Sequence, residues 1–425
     1  MVNERQIEAS VTKKRISRRE ALALLSAVPM AISVLTAQGR QAGRRVFPGM
    51  THAFILEPDG TLKAWTVLAE YGNDQGELGL GHNTIVPPFA LYSVPGLSNV
   101  IQVAAGQYFS FARQRNGRIL AWGMNTMGVL GTTVPEKFAK DMVRTEDAHA
   151  PTPLGVAFEA NDISVSRTFA LAASRDGRAY AWGQGTYGRL GIGQLPAIRA
   201  GTNPPRQLED VPYPIRIPGL EGVTAVAAGS QHGLALVEDG TVRAWGYNVV
   251  GEVGDGTVIQ RTTPVPVLGI RNAVAIGAGS SLSVALLADG TVMTWGEHSG
   301  GQLGRPASQN GPNPIPAQAE GIKSVRTIAV GVSHVLALTD AGTVMSWGEN
   351  GHSATGNGTG GPVPKLTPRL TQVQSISTIF SRSFAVLSDG QIMAWGDSLK
   401  RWARPNGDVT ISPFPRPLEV DGLTG

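Results

Sequence analysis

The chain of 425 residues contains no cysteine. That excludes disulfides, thiolate metal sites and a cysteine nucleophile, and leaves the redox compartment open. Charge is scarce too: charged residues are 16% of the chain, against about 25% in ordinary globular proteins. With a hydrophobic fraction of 42%, a strongly charged disordered chain is excluded and a sizeable core is available. Surplus charge is also lacking. The 36 Lys and Arg face 32 Asp and Glu, and residues 1–39 hold six of the former and three of the latter, leaving 30 against 29. A nucleic-acid surface needs clustered surplus Lys and Arg; none is visible, and no nucleic-acid partner is expected. Catalytic signatures are missing as well. There is no Gly-x-Ser-x-Gly elbow, no phosphate loop and no His-Glu-x-x-His. No catalytic residue, cofactor or metal site is therefore assigned, and the chain is not expected to be an enzyme.

Glycine, by contrast, is abundant, at 54 residues. Glycine weakens helix interiors, so a helical bundle fits poorly and many short strands joined by glycine turns fit well.

The N-terminus has a separate pattern. Lys13, Lys14, Arg15, Arg18 and Arg19 precede an apolar run over 21–37 that contains Ser26, Pro29, Ser33 and Thr36. The run falls short of the roughly 20 residues of a membrane span. A basic start, an apolar middle and the small residues of Ala37-Gln38-Gly39 make a signal peptide; an uncleaved short anchor is the other reading. Ser17-Arg18-Arg19-Glu20-Ala21-Leu22 resembles the twin-arginine export motif, which implies a bacterial protein folded before export. The expected organisation is a signal peptide over 1–39 and a single repeat domain over 40–425. The expected location is periplasmic or extracellular, with no membrane association after signal removal.

The main signal is a repeat. Residues 229–251 read GSQHGLALVEDGTVRAWGYNVVG, 279–301 read GSSLSVALLADGTVMTWGEHSGG, and 331–348 read GVSHVLALTDAGTVMSWG. Its tryptophan recurs at Trp65, Trp122, Trp182, Trp245, Trp295, Trp347 and Trp395, with gaps of 57, 60, 63, 50, 52 and 48 residues. A self-similar unit of about 50 residues implies a propeller or solenoid. Alternation around Leu234 and Leu236 gives a strand buried on one face. Asp239-Gly240 predicts a two-residue type I′ hairpin, and the same pair stands at Asp59-Gly60, Asp176-Gly177, Asp289-Gly290 and Asp389-Gly390, with Asn116-Gly117 as a variant. The sixth unit has Ala341-Gly342, expected to be the most strained of these turns. Proline-rich segments such as Pro264-Val265-Pro266 suit an edge strand. Three to four strands per unit make a propeller blade, and the tryptophans suit packing between blades. The expected fold is therefore an all-β, seven-bladed β-propeller. Its ring would close between the N- and C-terminal segments, with 415–425 completing the first blade. Deleting 415–425 should then lower the melting temperature strongly.

Trp122-Gly123, Asn125, Gly128 and Leu130-Gly131 spell Trp-Gly-x-Asn-x-x-Gly-x-Leu-Gly. The motif returns at Trp245-Gly246, Asn248, Gly251 and Gly254, with Val253 for Leu. With the Gly-x-x-His-x-x-Ala-Leu start, it resembles the regulator of chromosome condensation repeat family over essentially all of 46–425. The resemblance implies a seven-bladed propeller. The family's eukaryotic founder is a chromatin-bound nucleotide exchange factor for a small GTPase. Bacterial secreted members include a propeller-type beta-lactamase inhibitor, which binds its target through loops at one end of the ring. The leading expectation is thus an exported, monomeric interaction propeller with a protein partner. A polysaccharide-binding or polysaccharide-cleaving propeller is the alternative, and an exchange-factor-like role comes behind both.

Candidate partner-binding residues follow from departures within the repeat. Glu297, Glu349 and Asp397 each follow Trp-Gly in consecutive blades, where Met124, Gln184 and Tyr247 stand earlier. They are expected to form an acidic arc. Arg401, Trp402 and Arg404 replace the closing motif of the seventh unit and have the composition of an interface hot spot. Inserts over 66–70, 132–153 and 194–214 are candidate binding loops. His52, His232 and His334 share a slot read as packed core, with Phe109, Phe169, Leu282 and Phe384 as its other occupants.

Overall fold

The computed structural model describes residues 43–66, 72–88, 90–133, 146–193, 210–308, 311–396 and 414–417. Among these, four consecutive strands at a time form seven antiparallel four-stranded sheets. The blades span 45–93, 100–153, 160–216, 223–266, 273–318, 325–366 and 373–417. Blade four is typical. It runs from an innermost strand Val223–Ala228 through His232–Val237 and Val242–Gly246 to an outer strand Arg261–Pro266. Innermost strands pack side by side around the axis, and Arg45–Pro48 of blade one packs against Val373–Ile379 of blade seven, which closes the ring. The all-β seven-bladed expectation holds.

The core lies between blades. Seven tryptophans are fully buried, each at the hydrophobic seam with the preceding blade. An indole has one donor that must find a partner once buried. In six blades that partner is a main-chain carbonyl of the previous blade's Gly-x-Leu-Gly loop. Trp122 donates to Glu77 at 2.9 Å, Trp182 to Val129 at 2.8 Å, Trp245 to Arg189 at 2.8 Å, Trp295 to Glu252 at 2.8 Å, Trp347 to Gln302 at 3.0 Å and Trp395 to Ala354 at 3.0 Å. The loop's last glycine must therefore lie flush on the indole. A Cβ on Gly254, whose φ is 75°, would stand 2.7 Å from Trp295 Nε1.

Four local expectations are corrected. Closure does not share a blade between the termini. Arg416–Pro417 pairs with Met393 and Ala394 and completes blade seven, while blade one draws all four of its strands from 45–93. The hairpins are not type I′, which needs positive φ at both central residues. Only the glycine is positive, at 76° for Gly240 and 81° for Gly290. Gly240 N–H donates to Val237 and Val237 N–H to Thr241, closing a three-residue loop with a glycine bulge. Ala341-Gly342 makes the same two backbone bonds, so the loop type does not depend on the aspartate, which adds to it. The Asp239 carboxylate accepts from Thr241 N–H at 2.9 Å and from Thr241 Oγ1 at 2.6 Å, a local clasp with the aspartate at negative φ. Ala341 consequently carries no positive φ and no special strain, and a Thr339–Thr343 hydroxyl pair at 2.8 Å replaces the clasp. Finally, the histidine slot of blade seven holds Arg382 opposite Gly396; Phe384 lies two residues on, opposite Ala394.

Candidate functional site

The histidine slot links neighbouring blades. His52 Nε2 lies 2.6 Å from Ser110 Oγ, His232 Nε2 2.9 Å from Ser283 Oγ, and His334 Nε2 3.0 Å from Ser383 Oγ, each serine in the next blade. Each serine hydroxyl donates onward to the carbonyl that also receives the tryptophan N–H. The hydroxyl proton is thus spent on the carbonyl, so Nε2 carries the imidazole proton and donates to the serine. Burial depresses the imidazole pKa values, His52 to about 3 and His232 and His334 to about 4; the Arg382 charge adds to the effect at His52. These histidines are neutral structural links. No group of three or more His, Asp or Glu among the described residues has metal-binding geometry.

The two ends of the ring differ. One end carries the short Asp-Gly turns. The other carries the links between first and second strands and the Trp-Gly-x-Asn loops between third and fourth. In five successive blades the residue after Trp-Gly makes the same bond at this loop end. Met124, Gln184, Tyr247, Glu297 and Glu349 donate their N–H groups to Tyr108, Thr168, Gln231, Ser281 and Ser333 at 2.7–2.9 Å. Glu297, half-buried, and Glu349, exposed, therefore stand at one height in adjacent blades. Ser299 Oγ donates to Glu297 at 2.7 Å. Asp397, Arg401, Trp402 and Arg404 lie outside the described residues, as do residues 1–42 and most of the three inserts.

The sequence reading missed the apolar part of this face. Tyr187, Val249, Ile259 and Ile315 are all roughly half exposed or more, at 48–60%. Their loops are contiguous across blades three to five. The Tyr187 and Tyr247 rings meet edge to face at 5.2 Å. Asn248 Nδ2 donates to the Ile259 carbonyl at 3.0 Å, and Asn313 N–H to the Val250 carbonyl at 3.1 Å. Tyr187 sits at φ 60°, a conformation unusual for a bulky residue. Met127 and His352 share this conformation in blades two and six, so it belongs to the repeat; Arg189 packs beside the Tyr187 ring. Buried, it donates to Thr186 O and Oγ1, Thr168 Oγ1 and Gln184 Oε1, and its guanidinium lies 5.7 Å from the Tyr187 ring centre. The signal in the sequence was a set of large apolar residues inside glycine-rich loops, where core packing has no use for them. Below the acidic rim, Glu252 and its counterpart Glu77 are buried carboxyls. Burial raises both to about 7, with Glu297 adding to the effect at Glu252 and Asp74 at Glu77.

Among the described residues, the loop end of the seven-bladed ring presents exposed aromatic and aliphatic side chains. Regulator of chromosome condensation (RCC1) repeats are matched over 176–236, 239–286 and 289–338, and in a second form over 100–129, 223–252 and 325–353; the chain carries RCC1 repeats across blades two to six of its ring. It is 31% identical to the human E3 ubiquitin-protein ligase HERC2 over 52% of this chain and 4% of that protein. It is 31% identical to protein pim1 of Schizosaccharomyces pombe over 49% of this chain and 38% of pim1. Against the guanine nucleotide exchange factor SRM1 of Saccharomyces cerevisiae it is 27% identical over 52% of this chain and 44% of SRM1. The chain thus spans less than half the length of these relatives. Yeast RCC1 (Prp20), solved bound to Kap60, shares the fold at a TM-score of 0.67 and 21% identity, over 88% of this chain and 85% of that one. Human WBSCR16 does so at 0.67 and 20%, over 82% and 92%.

Proposed function

We propose that the ring is a protein-binding module that engages its partner through the loop end of blades three to six. The carrying observation is the set of exposed apolar side chains Tyr187, Val249, Ile259 and Ile315 on adjoining loops of blades three to five, with the carboxylates of Glu297 and Glu349 in blades five and six. Single exposed apolar residues are ordinary, but several on adjoining loops of one face, with carboxylates on the same face, favour an interaction surface. A tyrosine packed beside a buried arginine and a second ring loses little side-chain freedom on binding. The rim suits a partner with basic residues around an apolar centre. Export to the periplasm or beyond, proposed from the basic-then-apolar pattern of 13–37, would set where that partner is met. The exchange and ligase activities of the relatives belong to those proteins.

The test compares the ring with two variants of matched melting temperature. Tyr187→Ala with Ile259→Asp alters the loop end; Thr61→Ala with Gln391→Ala alters the turn end. Partners retained by the parent should be lost by the first variant and kept by the second. Equal retention by both would remove the reading.

A further inference from the structure

Six residues join the outer strand of each blade to the innermost strand of the next. Five of these connections, 94–99, 217–222, 267–272, 319–324 and 367–372, share one design. Their third residue has positive φ (Gly96, Gly219, Gly269, Gly321, Arg369), and so has their sixth. That path tucks the fourth residue, Leu97, Leu220, Ile270, Ile322 or Leu370, into the core between the blades.

Connection 154–159, between blades two and three, departs. Its third residue is Val156, whose β-branch disfavours positive φ, and the backbone there does not adopt it. Its fourth residue is Ala157, which is exposed. Phe158, the next residue, packs against the core between the blades and stacks on Tyr180, with ring centres 4.3 Å apart. Beside Ala157 this connection leaves an open pocket of about 500 Å³, within the range of ligand pockets. Ile119, Leu154, Ala157 and Phe158 form its apolar wall, and Asn116 and Arg118 stand at its rim.

The rim carries an unmatched charge. In blade three the equivalent Arg178 pairs with Asp176 at 2.8 Å. Blade two has Asn116 in place of that aspartate, and the exposed Arg118 guanidinium has no hydrogen bond or ion pair among the described residues. Glu159, the nearby acid, is taken by Arg175 at 2.8 Å.

We propose that this cavity binds a partner peptide in which a leucine or isoleucine adjoins an aspartate or glutamate. The aliphatic side chain packs on the apolar wall beside Ala157, and the carboxylate pairs with Arg118. The site lies at the turn end of the ring and does not depend on the loop-end reading.

The experiment titrates the full chain into a fluorescein-labelled, end-capped Gly-Leu-Asp-Gly peptide, followed by anisotropy and by competition with unlabelled peptide. Saturable binding is expected, with Kd of order 0.1–1 mM for so small a contact. Leu→Ala or Asp→Asn in the peptide, or Arg118→Gln in the protein, should weaken it at least about fivefold. Ala157→Leu should abolish it with the melting temperature unchanged or raised. Binding that is absent up to about 5 mM would overturn the proposal. So would binding unaffected by both protein variants. Binding that emerges only after residues 418–425 are removed would overturn it in favour of the chain's own tail as occupant.

Discussion

Histidine and serine are distributed together around the ring. Where a blade has His in its slot, at 52, 232 and 334, the next blade has Ser, at 110, 283 and 383. Where the slot is Phe109, Phe169, Leu282 or Arg382, the facing residue is Ala170, Gly233, Val335 or Ala53. This pairing is present in the sequence but spans two repeats, so reading one repeat at a time does not reveal it. It has a pH consequence. The histidine pKa values fall from about 6.5 free to about 3–4 folded. The stability they permit is therefore present above pH 6.5 and is lost as pH falls toward 4. His232→Leu with Ser283→Val copies the Leu282/Val335 pair and should reduce the loss between pH 7 and pH 5 by about 1–2 kcal/mol, read from denaturant midpoints. Glu77 and Glu252 act in the opposite sense. Raised to about 7 from 4.5, they favour the fold below pH 4.5 and weaken it as pH rises to 7. Gln302 shows the neutral equivalent, accepting from Gly300 N–H as Glu252 accepts from Val250 N–H. Glu252→Gln should thus gain of order 1–3 kcal/mol at pH 8 relative to pH 4.5. Gly254→Ala, set against Trp295 at positive φ, should cost about 2–5 kcal/mol in chemical denaturation.

At the scale of the element, strand order and hairpin positions were legible because period-two alternation and Asp-Gly pairs are local. The loop type was not, because the three-residue loop with a glycine bulge forms whether Asp239 or Ala341 precedes the glycine, and the aspartate's clasp on Thr241 only adds to it. The clasp can be measured. Asp239→Ala should cost about 0.5–2 kcal/mol, as for other side-chain caps. Ala341→Asp should raise the melting temperature, since Thr343 N–H now reaches only the distant Thr339 Oγ1 at 3.4 Å. Reversal of either sign in thermal melts would show that the clasp does not stabilise the loop. The connections were equally readable. Pro95-Gly96-Leu97 and Pro218-Gly219-Leu220 announce their path, and Val156-Ala157 its loss, but the cavity appears only when the sister connections are superposed.

For the whole molecule, the blade count followed from tryptophan spacing. The seam did not, because nothing in one repeat says which terminus supplies the last strand. Since Arg416–Pro417 lies at the outer edge of blade seven, removing 415–425 should loosen that edge without opening the ring. Val46, Ala53, Ile55 and Trp65 meet Phe384, Val386, Ile392 and Ala394 at the seam as neighbours meet elsewhere. Phe384→Ala and Phe111→Ala occupy equivalent sites and should each cost about 3–5 kcal/mol; a much smaller loss for Phe384 would mean a weak seam. The loop-end patch was not legible, because exposure of an apolar residue is a property of the assembled ring.

The tryptophan links all point one way, from each blade back to the loop of the one before. During synthesis, then, every Gly-x-Leu-Gly loop emerges from the ribosome ahead of the indole that will fasten it. Blades one to six each wait on their successor, so a nascent chain always trails one unlatched loop behind its growing end.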